Sequence, residues 1–303
     1  MKTKFNVHKA KLNVHKTKFN VHKTRRVLTI AGSDSGGGAG IQADLKTITV
    51  LGGFGMSVVT ALTAQNTVGV SGIYDVTPEF VALQFDAVAT DIGIDAAKTG
   101  MLSTSAIIRT VAGKIRQYGI EKLVVDPVMV AKGGAALIHE EAMATLVAEL
   151  LPLALVLTPN IPEAEVLAGI KINNFSDMKE AAQIIRKLGP KHVVVKGGHL
   201  DGEATDLLCD AAGFRIFSSP RIATQDTHGT GCTFSAAIAT CLAQGMDVPS
   251  AVAKAKRYIS EAIRHAWRIG GGHGPTNHLA PLFADGEAKI PDDWKNQESE
   301  TEK

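Results

Sequence analysis

Cysteine is scarce: the 303 residues hold three, Cys209, Cys232 and Cys241. They form neither the even set of a disulfide framework nor the close spacing of a metal site, and such usage predicts a reducing cytoplasm. No apolar run reaches the roughly 20 residues of a membrane span, and the first residues lack the apolar stretch of a secretory signal. A membrane partner is not expected. Acid is missing from one place in particular. Residues 1–26 carry nine Lys or Arg and no Asp or Glu, so the net charge of +2 conceals 23 basic against 30 acidic residues elsewhere, a balance of −7. That acidic remainder argues against a nucleic-acid partner.

The basic segment is also a repeat, running Lys4 to Lys9, Lys11 to Lys16 and Lys18 to Lys23 with a period of seven. Its apolar residues fall two and five apart, whereas a coiled coil needs three and four. Residues 1–26 therefore read as a basic low-complexity tail without fixed structure, with a tether to an acidic surface or a targeting segment as alternatives. Residues 284–303 read as a polar, solvated tail.

Between the tails the composition is that of an α/β protein, 45% hydrophobic with 30 glycines. Strand patterns at Arg26–Ala31, Met56–Thr63, Ala96–Thr99, Lys122–Asp126, Leu153–Thr158 and His192–Lys196 alternate with helical ones. The helices are expected at Ile41–Leu51, Pro78–Ala89, Ser105–Gln117, Glu140–Leu150, Asp177–Leu188 and Thr233–Gln244. Thr205–Cys209 and Phe214–Ser218 read as a strand pair near an edge. Strands alternating with helices predict a mainly parallel sheet covered on both faces. No linker divides residues 27–283, which read as one domain. Ligands in such folds gather beyond the carboxyl ends of the strands, where Asp126, Thr158, Lys196 and a glycine-rich loop, Gly32 to Gly40, all fall.

That loop has neither the Lys-Ser/Thr of a phosphate-binding P-loop nor the dinucleotide spacing. It is a plain turn or a place where backbone approaches a small ligand. Asp44, one turn into the next helix, faces that ligand or simply favours the helix dipole. Asp126 and Glu163, at two strand ends, suit Mg²⁺ held through water beside phosphates, or are ordinary caps and solvated acids. Lys196 adds a mobile cation suited to polyphosphate.

The most informative stretch is Thr227-His228-Gly229-Thr230-Gly231-Cys232, running into a helix. Two glycines uncover backbone N–H groups and the helix start adds unpaired donors with partial positive charge. This makes an anion cradle, and a thiol there is expected to lose its proton more easily than usual. Taken alone, the stretch reads equally as a glycine-rich helix entry with a buried cysteine. Cys241, nine residues on, falls on the other side of that helix.

Ala31 to Lys46, Thr60 to Thr67, Lys98 to Leu102, Asp126 to Met129, Thr158 to Glu163, Lys196 to Leu200 and Thr227 to Cys232 together resemble the hydroxymethylpyrimidine/phosphomethylpyrimidine kinases of the ribokinase-like superfamily, in order from about Val27 to Phe283. The resemblance implies a three-layer α/β/α kinase domain. It would use ATP and Mg²⁺ to phosphorylate thiamine's pyrimidine precursor and then its monophosphate, as a homo-oligomer, a dimer. Asp44 and Gln65 match positions that bind the aminopyrimidine, with Met101 and Val128 packing nearby. Asp126 and Glu163 match the metal end, Asn160 and Lys196 the ATP site. Cys232 matches the catalytic position, with Gly229, Thr230 and Gly231 as its anion hole. Ser35-Gly36 stands where many relatives have Pro-Ser. Ala131 stands where relatives that also accept pyridoxal carry an aldehyde-trapping cysteine, which leaves pyridoxal kinase as the alternative. With so little chain after these blocks, no fused thiamine-phosphate synthase domain is expected.

Overall fold

The alternation of strand and helix builds a nine-stranded sheet. The computed structural model describes residues 24–130, 134, 137, 138, 140–198, 202–284, 287 and 288. All but the last three residues of the basic segment 1–26, Ala131, His199, Leu200 and nearly all of the C-terminal tail lie outside the described residues.

In chain order the elements are β1 (Arg25–Asp34), α1 (Gly40–Val50), β2 (Gly53–Gln65), β3 (Val70–Asp75), α2 (Pro78–Asp91), β4 (Ala96–Thr99), α3 (Ser105–Gln117), β5 (Leu123–Val125), α4 (Glu140–Thr145), β6 (Val156–Leu157), α5 (Ile161–Ala168), α6 (Phe175–Arg186), β7 (His192–Gly197), β8 (Ala204–Asp210), β9 (Gly213–Ser219), α7 (Thr230–Ala243) and α8 (Val248–Arg264). The sheet order is β3-β2-β1-β4-β5-β6-β7-β8-β9. The six strands from β2 to β7 pair in parallel. β3 at one edge and β8 and β9 at the other run antiparallel, as the expected edge pair requires.

Side chains on a strand alternate between faces, and this splits the core into two layers. Val27, Val124, Val156, Val194 and Leu208 pack against Ile48 of α1, Phe234 and Ile238 of α7, and Val252 and Ile259 of α8. Their neighbours Leu28, Leu123, Leu157, Val193 and Leu207 turn to the other layer, with Phe85, Ile108, Ala164 and Ile185 of α2, α3, α5 and α6. Burying each such side chain contributes about 1.5–3 kcal/mol. This core holds the strand ends in place while they carry charges that burial disfavours. From Thr233 onward α7 is buried on all sides, as expected of a helix that is apolar all round.

Two sequence expectations change. The helix expected over Glu140–Leu150 is α-helical only to Thr145, widens to a π turn over Leu146–Leu150 and tightens to a 3₁₀ turn over Leu151–Leu153. Pro152 has no N–H to continue an α-helix, so the chain leaves that path before it. The strand expected from Leu153 is thereby trimmed to β6. Two elements went unforeseen: β3, an exposed edge strand, and α8, whose buried Val248, Ala251, Val252, Ala255, Ile259 and Ala262 recur at helical spacing.

Candidate active site

The carboxyl ends of the parallel strands open into one cleft of about 870 Å³. Gln65, Met101, Val128, Gly229, Thr230, Gly231, Cys232, Asp126, Asn160, Glu163 and Lys196 all line it. From Lys196 the cleft continues past Arg221 and Ile222 to Ile259 and Ile263 of α8. Eleven of the twelve residues expected at a site therefore share this wall; Asp44 does not.

Part of this wall is built by the start of α7. Gly229 is its N-cap, in the left-handed region at φ 80°, and no side chain caps the helix. A Cβ at Gly229 would run into the Gly38 carbonyl, and one at Gly231 would stand 3.2 Å from Lys196 Nζ and 3.4 Å from Asp126 Oδ2. Both glycines thus let close approaches happen: loop on loop at Gly229, and cleft-side space before a cation at Gly231. Cys232, next along, is partly buried. Its thiol does not lose its proton more easily, contrary to expectation. Burial pushes its pKa up to about 11, and the Asp44 and Asp126 charges add to that, against opposing contributions from Lys98 and the Gly40 N–H. The helix start is favourable to a thiolate, but desolvation and two carboxylates win.

At the ends of β5 and β7, Lys196 Nζ lies 2.9 Å from Asp126 Oδ1. Thr158 Oγ1 donates to the same oxygen at 3.1 Å and Ser235 Oγ to Oδ2 at 3.4 Å. Burial works against both charges, yet each partner stabilises the other: the Asp126 pKa is lowered and that of Lys196 raised. Glu163 closes a capping box with Asn160, whose N–H donates to Glu163 Oε2 at 2.8 Å while Asn160 Oδ1 accepts from the Glu163 N–H at 2.9 Å. Burial, reinforced by the Asp126 charge and moderated by Lys196, raises Glu163 to about 7. One ammonium thus serves two carboxylates. Among the described residues no group of three or more His, Cys, Asp or Glu converges as a self-sufficient metal site. The hard oxygen donors fit a divalent cation only alongside ligands from elsewhere, as Mg²⁺ beside nucleotide phosphates.

The glycine-rich loop is organised by Asp34, which the sequence reading passed over. Its carboxylate accepts from the N–H groups of Gly36, Gly38 and Ala39 at 2.8, 3.0 and 2.8 Å. It also lies 2.8 Å from His228 Nε2. Burial would raise its pKa, but the His228 hydrogen bond and the loop N–H groups hold it below the usual range. The departure at Ser35-Gly36 is accommodated in place: the Ser35 hydroxyl donates to the Gln65 carbonyl and accepts from its N–H, both at 2.8 Å.

Asp44 requires a correction. It faces inward beneath the cleft, fully buried, 2.9 Å from Lys98 Nζ, and accepts from Thr29 Oγ1 at 2.6 Å. Lys98, also fully buried, needs a counter-charge in a dry interior, and the inner side of α1 is where the chain supplies one. A carboxylate spent on that pair does not face a ligand.

The sequence profile of a family described as phosphomethylpyrimidine kinase matches residues 34–277. The chain belongs to this family. It is 51% identical over 257 residues to the hydroxymethylpyrimidine/phosphomethylpyrimidine kinase of Bacillus subtilis, covering 84% of this chain and 95% of that one. It is 58% identical over 254 residues to a thiamine biosynthesis bifunctional protein of Geobacter sulfurreducens, covering 84% of this chain but only 52% of that protein's length. Among solved structures, an ADP complex of Bacillus subtilis pyridoxal kinase superposes with a TM-score of 0.81 at 39% identity, covering 86% of this chain and all of that one. Phosphomethylpyrimidine kinase of Clostridium difficile superposes with a TM-score of 0.71 at 48% identity, covering 79% and all. The fold is that of ribokinase-like kinases. No helix among the described residues is long and apolar enough to cross a membrane.

Membership makes sense of the residues that sequence reasoning missed. Asp34 and His228 order the glycine-rich loop beside Gln65, Ser235 stands near Asp126 and Lys98 pairs with Asp44 beneath Cys232; the first two and Lys98 had a faint signal. Asp34 precedes a run of glycines as the head of a turn would, His228 touches the cradle in sequence, and Lys98 interrupts an apolar strand.

Proposed function

We propose that this chain transfers phosphate from ATP to the hydroxymethyl group of 4-amino-5-hydroxymethyl-2-methylpyrimidine and then to the resulting monophosphate, in thiamine biosynthesis. The observation that carries this reading is that one cleft is lined by Cys232 and the α7 start together with Gln65, Met101, Val128, Asp126, Glu163 and Lys196. Gln65 would hydrogen-bond the aminopyrimidine, since an amide both donates and accepts, with Met101 and Val128 against the ring. Lys196 and Asn160 would face the nucleotide. Asp126 and Glu163 would hold Mg²⁺ through water, and that ion would neutralise charge on the phosphates. The N–H groups at Gly229, Thr230, Gly231 and Cys232 would meet charge on the transferring phosphoryl.

In the first transfer the acceptor oxygen bonds to the γ-phosphorus, the bond to the β-phosphate oxygen breaks, and the hydroxyl proton passes to the Cys232 thiolate. In the second the acceptor is already anionic and has little need of a base. With the Cys232 thiol at about 11, the thiolate fraction rises about tenfold per pH unit through the neutral range. First-step kcat/KM should therefore climb with pH more steeply than second-step kcat/KM. Cys232→Ala should lower the first step about 100-fold, abolish that slope and affect the second step less. Equal losses at both steps would refute the division of labour.

The domain at residues 27–283 would act in the cytoplasm as a homodimer. The exposed Leu62, Ile73, Tyr74, Phe80 and Leu83 around the β3 edge supply an apolar face for pairing. Likeness to a pyridoxal kinase favours pyridoxal as a second acceptor, so the assay includes it as a third arm, with products identified by mass.

A further inference from the structure

The Gln65 amide sits between two side chains whose hydrogen-bonding options are already fixed. Thr63 Oγ1 lies 2.8 Å from the Ser33 carbonyl and 3.1 Å from Gln65 Oε1. Its single hydrogen goes to the nearer Ser33 oxygen, so towards Gln65 it has only a lone pair to offer. On the other side His228 Nε2 lies 2.8 Å from Asp34 Oδ2 and 3.4 Å from Gln65 Nε2. Asp34 is held ionised by its loop N–H groups and by His228, so Nε2 carries the proton and gives it to Asp34, which leaves that nitrogen no lone pair with which to accept from Gln65. An amide with oxygen towards Thr63 and nitrogen towards His228 opposes acceptor to acceptor and donor to donor. Half a turn of the terminal amide relieves both oppositions, its NH₂ donating to Thr63 and its oxygen facing the positive N–H edge of His228, whose hydrogen stays with Asp34.

The clamp is built into the fold. His228 is buried; its N–H donates to the Gly274 carbonyl at 3.0 Å, and its own carbonyl accepts from Thr276 N–H at 3.2 Å. A Cβ on Gly38 would strike the imidazole ring, so that glycine lets the loop lie flat against it. Asp34, His228, Gln65, Thr63 and Ser33 thus form one polar chain from the glycine-rich loop across the end of β2.

We infer that His228 and Thr63 are specificity-determining positioning residues: they lock the Gln65 amide so that its oxygen and its remaining N–H reach the cleft in a fixed order. This rests on the proposed reading that Gln65 faces the acceptor ring. A locked amide matches an acceptor with an amine beside an unprotonated ring nitrogen and opposes one with a carbonyl beside a ring N–H, where both contacts reverse. A free amide would turn over to suit either. The lock therefore selects the 4-amino pyrimidine over its 4-oxo counterpart, through unpaired buried groups in the wrong complex.

The test is the ratio of kcat/KM for 4-amino-5-hydroxymethyl-2-methylpyrimidine to that for the 4-oxo analogue, measured on the full chain. His228→Phe and Thr63→Val should each lower this ratio by about tenfold or more, while His228→Gln, which keeps a donor, should restore most of it. A merely structural role would reduce both kcat/KM values and leave their ratio alone. An unchanged ratio in either variant, with melting close to the parent, overturns the inference. Should His228→Phe not fold, Thr63→Val decides. Gln65→Ala separates the two readings: if it leaves the acceptor KM unchanged, Gln65 does not face the acceptor and the underlying reading fails first.

Discussion

Two Asp–Lys pairs stand side by side at the strand ends, with the same chemistry and the same 2.9 Å separation. Asp44–Lys98 is sealed, with both side chains at 0% exposure, whereas Asp126–Lys196 opens on the cleft with 2% and 16%. In the sealed pair the charges are hydrogen-bonded, among the described residues, only to each other and to Thr29, and neither side chain is open to water. In the open pair Lys196 is shared with Glu163, and Gly231 leaves space beside it. A pair of the first kind joins α1 to β4. A pair of the second kind is free to serve a ligand, because its cation borders the cleft. Distance and residue type do not separate the two; access to the cleft does.

The largest effect should come from breaking the sealed pair. Lys98→Met strands the Asp44 carboxylate in a dry interior, and losing one partner of a buried pair costs about 3–5 kcal/mol, or about 10 °C in Tm for a domain of this size. Thermal melting monitored by circular dichroism measures it. A fall of only a degree or two would mean that Asp44 takes up a proton at little cost, and the distinction between the pairs would collapse on its structural side.

Lys196→Met should do the reverse. Asp126 keeps Thr158 and Ser235 and borders the cleft, so the loss in Tm should be under half that of Lys98→Met. On the proposed role of Lys196 towards the nucleotide, its removal should cost about 100-fold in kcat/KM for ATP. If Lys196→Met melts as early as Lys98→Met and retains its turnover, the open pair is structural and the proposed phosphate end is misplaced.

The same contrast explains what the sequence could reveal. Residues at strand ends in a parallel sheet are legible, because the fold class alone sends Asp126, Asn160, Glu163 and Lys196 to one rim, and the glycines at Gly229 and Gly231 mark a helix start with free donors. The direction a helical side chain takes is not legible from such a pattern. Asp44 lies one turn into α1 and could face the cleft or the sheet; only the position of Lys98 on β4, a strand distant in sequence, decides it. Nor was the Cys232 thiol legible, since a helix start favours its ionisation and only the fold reveals the burial and the two carboxylates that overrule it. The long α8 was missed although its apolar spacing is regular. The trimmed helix before Pro152 was within reach of proline's known geometry.

The smallest effect tests whether the open pair really is short of positive charge. Glu163 stands at about 7 in the folded chain, above its ordinary 4.5. Between those values the folded state keeps a proton that the unfolded state has released. The stability tied to Glu163 is therefore fully present below about pH 4.5 and is lost as pH rises through 7. Glu163→Gln carries no such charge and keeps an oxygen to accept the Asn160 N–H. The variant should melt close to the parent near pH 5 and gain on it steadily to pH 8, by on the order of 2 kcal/mol or a few degrees. Parallel Tm curves across that window would mean that Lys196 already satisfies both carboxylates. A diverging pair of curves would mean that the rim holds one negative charge more than the protein itself balances, which is the condition under which a cation arriving with the nucleotide is favoured there and not at the sealed Asp44–Lys98 pair.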